Sequence, residues 1–128
     1  MAGGIANIWG NVSDGRDYGE GSLPYSNAAQ LKTYAHFFAE RFEAGLQDCG
    51  DLSNAACLGR SDGSRYLLYR ESTTSLSIDL RDAAGPLRAV AVDTRKPYVE
   101  IDLGTLDATQ QSWKAPYASD WAIAIGEP

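Results

Sequence analysis

Three acidic side chains, Asp14, Asp17 and Glu20, stand three residues apart in the glycine-rich run GNVSDGRDYGEGSLP at residues 10–24. Carboxylates in pairs serve general acid–base catalysis, and carboxylates in loops ligate calcium. The spacing D-x-x-D-x-x-E departs from the calcium-loop pattern. Glycines at 10, 15, 19 and 21 make a loop too pliable to hold two carboxylates at a fixed separation, so a solvated loop is expected. His36 is a general-base type of residue. It falls between Lys32 and Glu40 on a predicted helix, with no Ser or Cys partner implied, and reads as a surface histidine. Trp113, Tyr117 and Trp121, with Tyr66, Tyr69 and Tyr98, offer ring faces that can stack on sugars. Aromatics at strand positions more often pack in the core or across strands. Asp93, Thr94, Arg95 and Lys96 form a polar turn in which an Asp–Arg pair reads as structural. Cys49 and Cys57 leave two readings open, small buried or free thiols, or a local disulfide. A disulfide would close a short loop worth roughly 2.6 kcal/mol on the chain-entropy account. Two cysteines and one histidine make no metal site, and no cofactor is expected.

A chain of 128 residues holds one modest core, or one small domain and part of another. Its hydrophobic fraction of 44% and charged fraction of 22% are those of an ordinary globular protein. The net charge of -6 and scattered basic residues argue against nucleic acid as a partner. No apolar run approaches membrane-spanning length, so no membrane partner is expected. The opening MAGGIANIWG has no positive region and no cleavage site, so no signal peptide is expected there. Its abrupt start suggests an internal boundary.

The elements that must position these residues change character along the chain. Residues 4–9 form a short apolar run that predicts a buried strand. Residues 27–44 predict a helix, with Ser26 or Asn27 as N-cap. Leu31, Tyr34, Ala35, Phe38 and Phe42 fall on one apolar face, opposite Lys32, Glu40 and Glu43. Gly45 is a good left-handed stop. From residue 55 the period becomes two. Strands are predicted at 56–60 and 64–71 around an Asp62-Gly63 turn, and at 75–80 on Leu76, Ile78 and Leu80. Further strands are predicted at 87–92, at 98–103 with Val99, Ile101 and Leu103 inward, at 110–114 around Trp113, and at 121–125. Lys96-Pro97 and Gly85-Pro86 mark turns. The expectation is a mainly β chain: a small antiparallel β-sandwich at residues 49–128, preceded by a strand-loop-helix unit at residues 1–48.

With that layout, the order of residues resembles the C-terminal portion of a group of bacterial glycoside-hydrolase-like proteins. These have a (β/α)8 barrel followed by a β-sandwich often labelled the collagen-binding domain of a collagenase. The resemblance is carried by RYLLYRE (65–71), SLSIDL (75–80), GPLRAVAVDTRKPY (85–98), WKAPY (113–117) and DWAIAIG (120–126). AGGIANIWG (2–10) is similar to the eighth barrel strand, and LKTYAHFFAERF (31–42) to the last barrel helix. The resemblance implies that residues 1–48 are a barrel remnant. It places Trp9 at the barrel face where substrate binds, as the floor of a sugar subsite, with Asn7 near enough to bond a sugar hydroxyl. It places both catalytic carboxylates upstream of Met1, so no catalytic residue is carried over.

The function expected is therefore that of an accessory, structural segment of a glycoside hydrolase, supporting the barrel and inactive by itself. The upstream barrel is its expected partner, and a secreted or periplasmic parent is implied. A different class of function is a β-sandwich module that binds polysaccharide or a collagen-like matrix, with Trp113, Tyr117 and Trp121 as sugar-stacking residues. Coplanar exposed rings would favour that module, and buried rings the scaffold.

Overall fold

The computed structural model describes residues 28–39 and 41–126. The strand expected at residues 4–9 and the loop at 10–24 lie outside them. A helix, α1 (Ala28–Ala39), precedes six strands: β1 (Leu46–Asp48), β2 (Ala56–Arg60), β3 (Tyr66–Asp79), β4 (Leu87–Asp93), β5 (Glu100–Leu106) and β6 (Gln110–Ile125). All pairings are antiparallel, in one sheet of order β1-β2-β3-β6-β4-β5. The chain is thus mainly β, as its period-two patterning requires.

Two pairs of expected strands are each one strand. The strands expected at 64–71 and 75–80 are parts of β3, which starts at Tyr66 and ends at Asp79, and residues 110–114 and 121–125 belong to β6. The turn-like residues between them are bulges. Arg70 pairs with Trp121, Thr73 with Ser119 and Ser75 with Lys114, so residues 115–118 of β6 stand opposite Thr74 alone of β3. Ser72 takes a positive φ of 46° on the β3 side. Bulges bend a ribbon without ending it. Leu68 and Leu76 would stand about 26 Å apart on a straight strand. Both lie in one core cluster with Ile78, Trp121, Ile123 and Ile125, so the β3–β6 ribbon folds over its own concave face.

The opposite face of the sheet carries Leu58, Leu67, Val90, Val92, Ala122 and Ala124, covered by Phe37 of α1. The alternation of strands β4 and β6 serves both clusters: Ala89 and Ala91 point one way, Val90 and Val92 the other. Ala122 and Ala124 are small because a helix must approach there.

The helix is shorter than expected and turned about its axis. Among the described side chains here, Thr33, Phe37 and Arg41 are buried, four apart, while Tyr34 and Ala35 are exposed and Phe38 and Phe42 half-buried. Polar anchors set this rotation. Thr33 Oγ1 donates to the Lys96 carbonyl at 2.6 Å. Arg41 donates to the Phe37 carbonyl at 3.1 Å, the Tyr98 hydroxyl at 3.0 Å and Glu100 at 2.8 Å. Apolar periodicity alone does not register such anchors. Gly45, the expected stop, takes φ 95°.

The hairpin at Asp62-Gly63 forms as its residues demand. Gly63 has φ 70°, and Asp62 accepts the Ser64 N–H at 3.0 Å. Strand β5 starts later than expected, at Glu100; Val99 precedes it and is 67% exposed, and Ile101, on this edge strand, is 36% exposed. A bulge beside Gly104 leaves Leu103 facing the concave cluster.

Candidate functional site

The β6 bulge positions the aromatic residues. It carries Pro116 and Tyr117 out of the ladder, and the Trp121 indole N–H reaches back to the Tyr117 carbonyl at 3.2 Å. Trp113 meets Trp121 edge to face, with centroids 5.0 Å apart and planes at 82°. Tyr117 meets Trp121 at 5.2 Å and 47°. The three rings are therefore brought together but share no plane. Trp121 is fully buried, Trp113 is half-buried, and Tyr117 is 40% exposed. Edge-to-face pairs of this kind are the usual packing of core aromatics.

Beside Tyr117 lies the turn that follows β4. Asp93 pairs with Trp121 across the ladder and is only 6% exposed. Its Oδ1 accepts the Ser119 hydroxyl at 2.8 Å and the Arg95 N–H at 3.0 Å. Its Oδ2 is buried with no hydrogen-bond donor, and the Lys96 ammonium stands 3.8 Å away. Lys96 Nζ also lies over the Tyr117 ring, 4.0 Å from its centroid. Polar contact with Tyr117, and then the charge of Asp93, holds Lys96 above the usual lysine range. Asp120 locks the turn: its carbonyl accepts the Thr94 N–H and hydroxyl at 2.9 Å, and its carboxylate accepts the Ser72 N–H at 2.8 Å. Arg95 lies 4.0 Å from Asp120 rather than pairing closely with Asp93. Ser119 and Arg41 were not candidates from sequence. Neither sits in a motif, and only the fold brings each to its partner.

Trp113 also borders an apolar cavity of about 370 Å³ on the concave face, lined mainly by Leu68, Leu76, Ile78, Leu103 and Leu106. Gln111 and Ser112 are its polar members. The Gln111 amide is already committed, donating to Asp107 O and Thr109 Oγ1.

Asn7, Trp9, Asp14, Asp17 and Glu20 lie outside the described residues. His36 is exposed and stacks on Tyr98 at 3.9 Å and 9°. Cys49 and Cys57 are disulfide-bonded, with Cα atoms 4.9 Å apart. Among the described residues no cluster of three or more His, Cys, Asp or Glu could hold a metal ion, and no helix is long and apolar enough to cross a membrane.

The architecture has counterparts among solved structures. The chain is similar to a glycoside hydrolase, with a TM-score of 0.63 and 11% identity over 75% of this chain and 24% of that one. It is similar to a glycoside hydrolase family 5 protein from Bacteroides vulgatus, with a TM-score of 0.63 and 14% identity over 75% of this chain and 23% of that one. No protein-family model matches the chain, and no curated protein does. At these identities the likeness is one of fold: a mainly β domain of the kind found within glycoside hydrolase chains. The match spans about a quarter of those chains.

Proposed function

We propose that this chain is the C-terminal accessory segment of a glycoside hydrolase, which supports the barrel and does not itself cleave the substrate. The observation that carries the reading is the fold match to a minor part of two glycoside hydrolase chains. Two features of the chain support it. Hydrolysis of a glycosidic bond needs two carboxyl groups facing one cleft. Among the described residues, Asp93 is tied to Ser119, Glu100 to Arg41 and Tyr98, Asp79 to Arg81, and Asp102 to Arg88, which leaves these four in structural roles. The helix also has two usable faces. Thr33, Phe37 and Arg41 bind it to the sheet, which leaves Tyr34 outward for a barrel partner.

The Cys49–Cys57 disulfide supports a secreted or periplasmic parent, since such bonds persist in oxidising compartments. The ring geometry favours packing over a flat sugar platform, so the matrix-binding module is the lesser reading. The test is an activity screen of the purified chain on a panel of chromogenic glycosides. No turnover is expected, and hydrolysis of any member would refute the reading. A companion measurement compares the thermal stability of the parent with and without this segment. An unchanged barrel would remove the supporting role.

A further inference from the structure

We propose that the outer face of Tyr117, the Asp93 carboxylate beside it and Lys96 as a movable cover form a subsite for a single neutral pyranose ring. The site does not depend on the scaffolding role and does not require a flat platform of three rings. Tyr117 is held out by the β6 bulge, with Trp121 packed at 5.2 Å as its support. It is the most exposed of the three rings, and Lys96 is what stands over it.

Asp93 supplies the second element. A buried carboxylate oxygen without a donor is an unsatisfied acceptor, and such groups are rare unless a partner is missing. Oδ2 is such a group, and it is held rigidly because Oδ1 is fixed by Ser119 and Arg95. A pyranose presents both complements at once, an apolar C–H face for the ring and a hydroxyl for the carboxylate.

Charge selects a neutral ligand. An anion would meet Asp93 and Asp120. A small cation would compete with the Lys96 ammonium, which is tethered to the site and so acts at high effective concentration. A sugar hydroxyl needs only that the lysine stem turn aside. The Lys96 side chain is 58% exposed, and its backbone is pinned by Thr33, so the stem can move while the turn stays. An exposed cation–π contact is weak, and the Lys96–Asp93 pair is half exposed and, at 3.8 Å, longer than a hydrogen bond, so lifting the cover costs about tenfold in affinity.

The test titrates the intact chain with cellohexaose, xylohexaose and mannohexaose, followed by amide and indole NMR. Binding in the millimolar range is expected, with shifts at the Arg95 N–H and the Trp121 indole N–H. Lys96→Ala, on an exposed turn, should fold normally and bind roughly three- to tenfold more tightly. Tyr117→Ala should lose about tenfold or more. No shift with any of the three sugars at about 10 mM, in wild type and in Lys96→Ala alike, would overturn the subsite. Binding that survives in Tyr117→Ala would do the same, and weaker binding in Lys96→Ala would overturn the cover.

Discussion

Arg41 anchors the end of the helix to the sheet, and its removal has a calculable effect. It is 7% exposed. Its guanidinium donates to Phe37 O, Tyr98 Oη and Glu100 Oε1, and lies 5.0 Å from the Phe37 ring centroid. Glu100 is 40% exposed, so solvent screens that pair and it contributes no more than about 1 kcal/mol. The bonds to Phe37 and Tyr98 come from a charged donor, but water can replace part of their effect, leaving about 1 kcal/mol each. The contact with the Phe37 ring adds about 0.5–1 kcal/mol. Arg41→Ala should therefore destabilise the fold by about 3 kcal/mol. Arg41→Lys keeps the charge but loses the planar fork, and should recover less than half of that. Urea titration followed by the fluorescence of buried Trp121 and half-buried Trp113 measures both. A loss below about 0.5 kcal/mol in Arg41→Ala, or full recovery in Arg41→Lys, would refute the reasoning.

Three further outcomes are expected. The Tyr98 hydroxyl and then Arg41 hold the Glu100 carboxyl below its usual range. Its contribution to stability is therefore complete above the ordinary glutamate pKa and fades as pH falls through the lower folded value; Glu100→Gln should flatten that part of the acid limb of a stability–pH curve. Reducing the Cys49–Cys57 bond removes a crosslink across 8 positions and should cost about 2.5 kcal/mol, read as a fall in Tm of roughly 10 °C. An unchanged Tm would mean that the Cys49 N–H to Cys57 O bond at 3.1 Å closes the loop unaided. Gly126 has φ 79°, and a Cβ there would collide with the Ser64 carbonyl, so Gly126→Ala should lose at least about 2 kcal/mol by denaturant titration.

Much of the fold is legible in the residues because the signals are local. Leu76, Ile78 and Leu80 alternate, and all three are buried. Asp62-Gly63 turns where it should. Other features are legible only after folding. Ser72 and Pro116-Tyr117 look like strand boundaries, since polar and proline-bearing stretches interrupt a period of two. They are bulges because residues far along the chain pair on both sides of them. The buried face of the helix differs from its apolar stripe for a similar reason. Its rotation is set by bonds from Thr33 to residue 96 and from Arg41 to residues 98 and 100, which no pattern within the helix encodes.

The same division holds for the candidate site. Residue types identified Trp113, Tyr117 and Trp121 as rings worth weighing, and Asp93 and Lys96 as a polar turn. Whether rings lie flat or edge to edge depends on the angle between bulged strands, and that angle is a property of the assembled sheet. The missing donor on Asp93 arises in the same way, because burial and partners are fixed only when β4 and β6 meet. By itself the sequence determined the period, the turns and the mainly β class, since steric and hydrophobic preferences act between near neighbours. Tertiary structure decided which rings stay exposed and which carboxylate lacks a donor, because both depend on contacts between residues far apart in the chain.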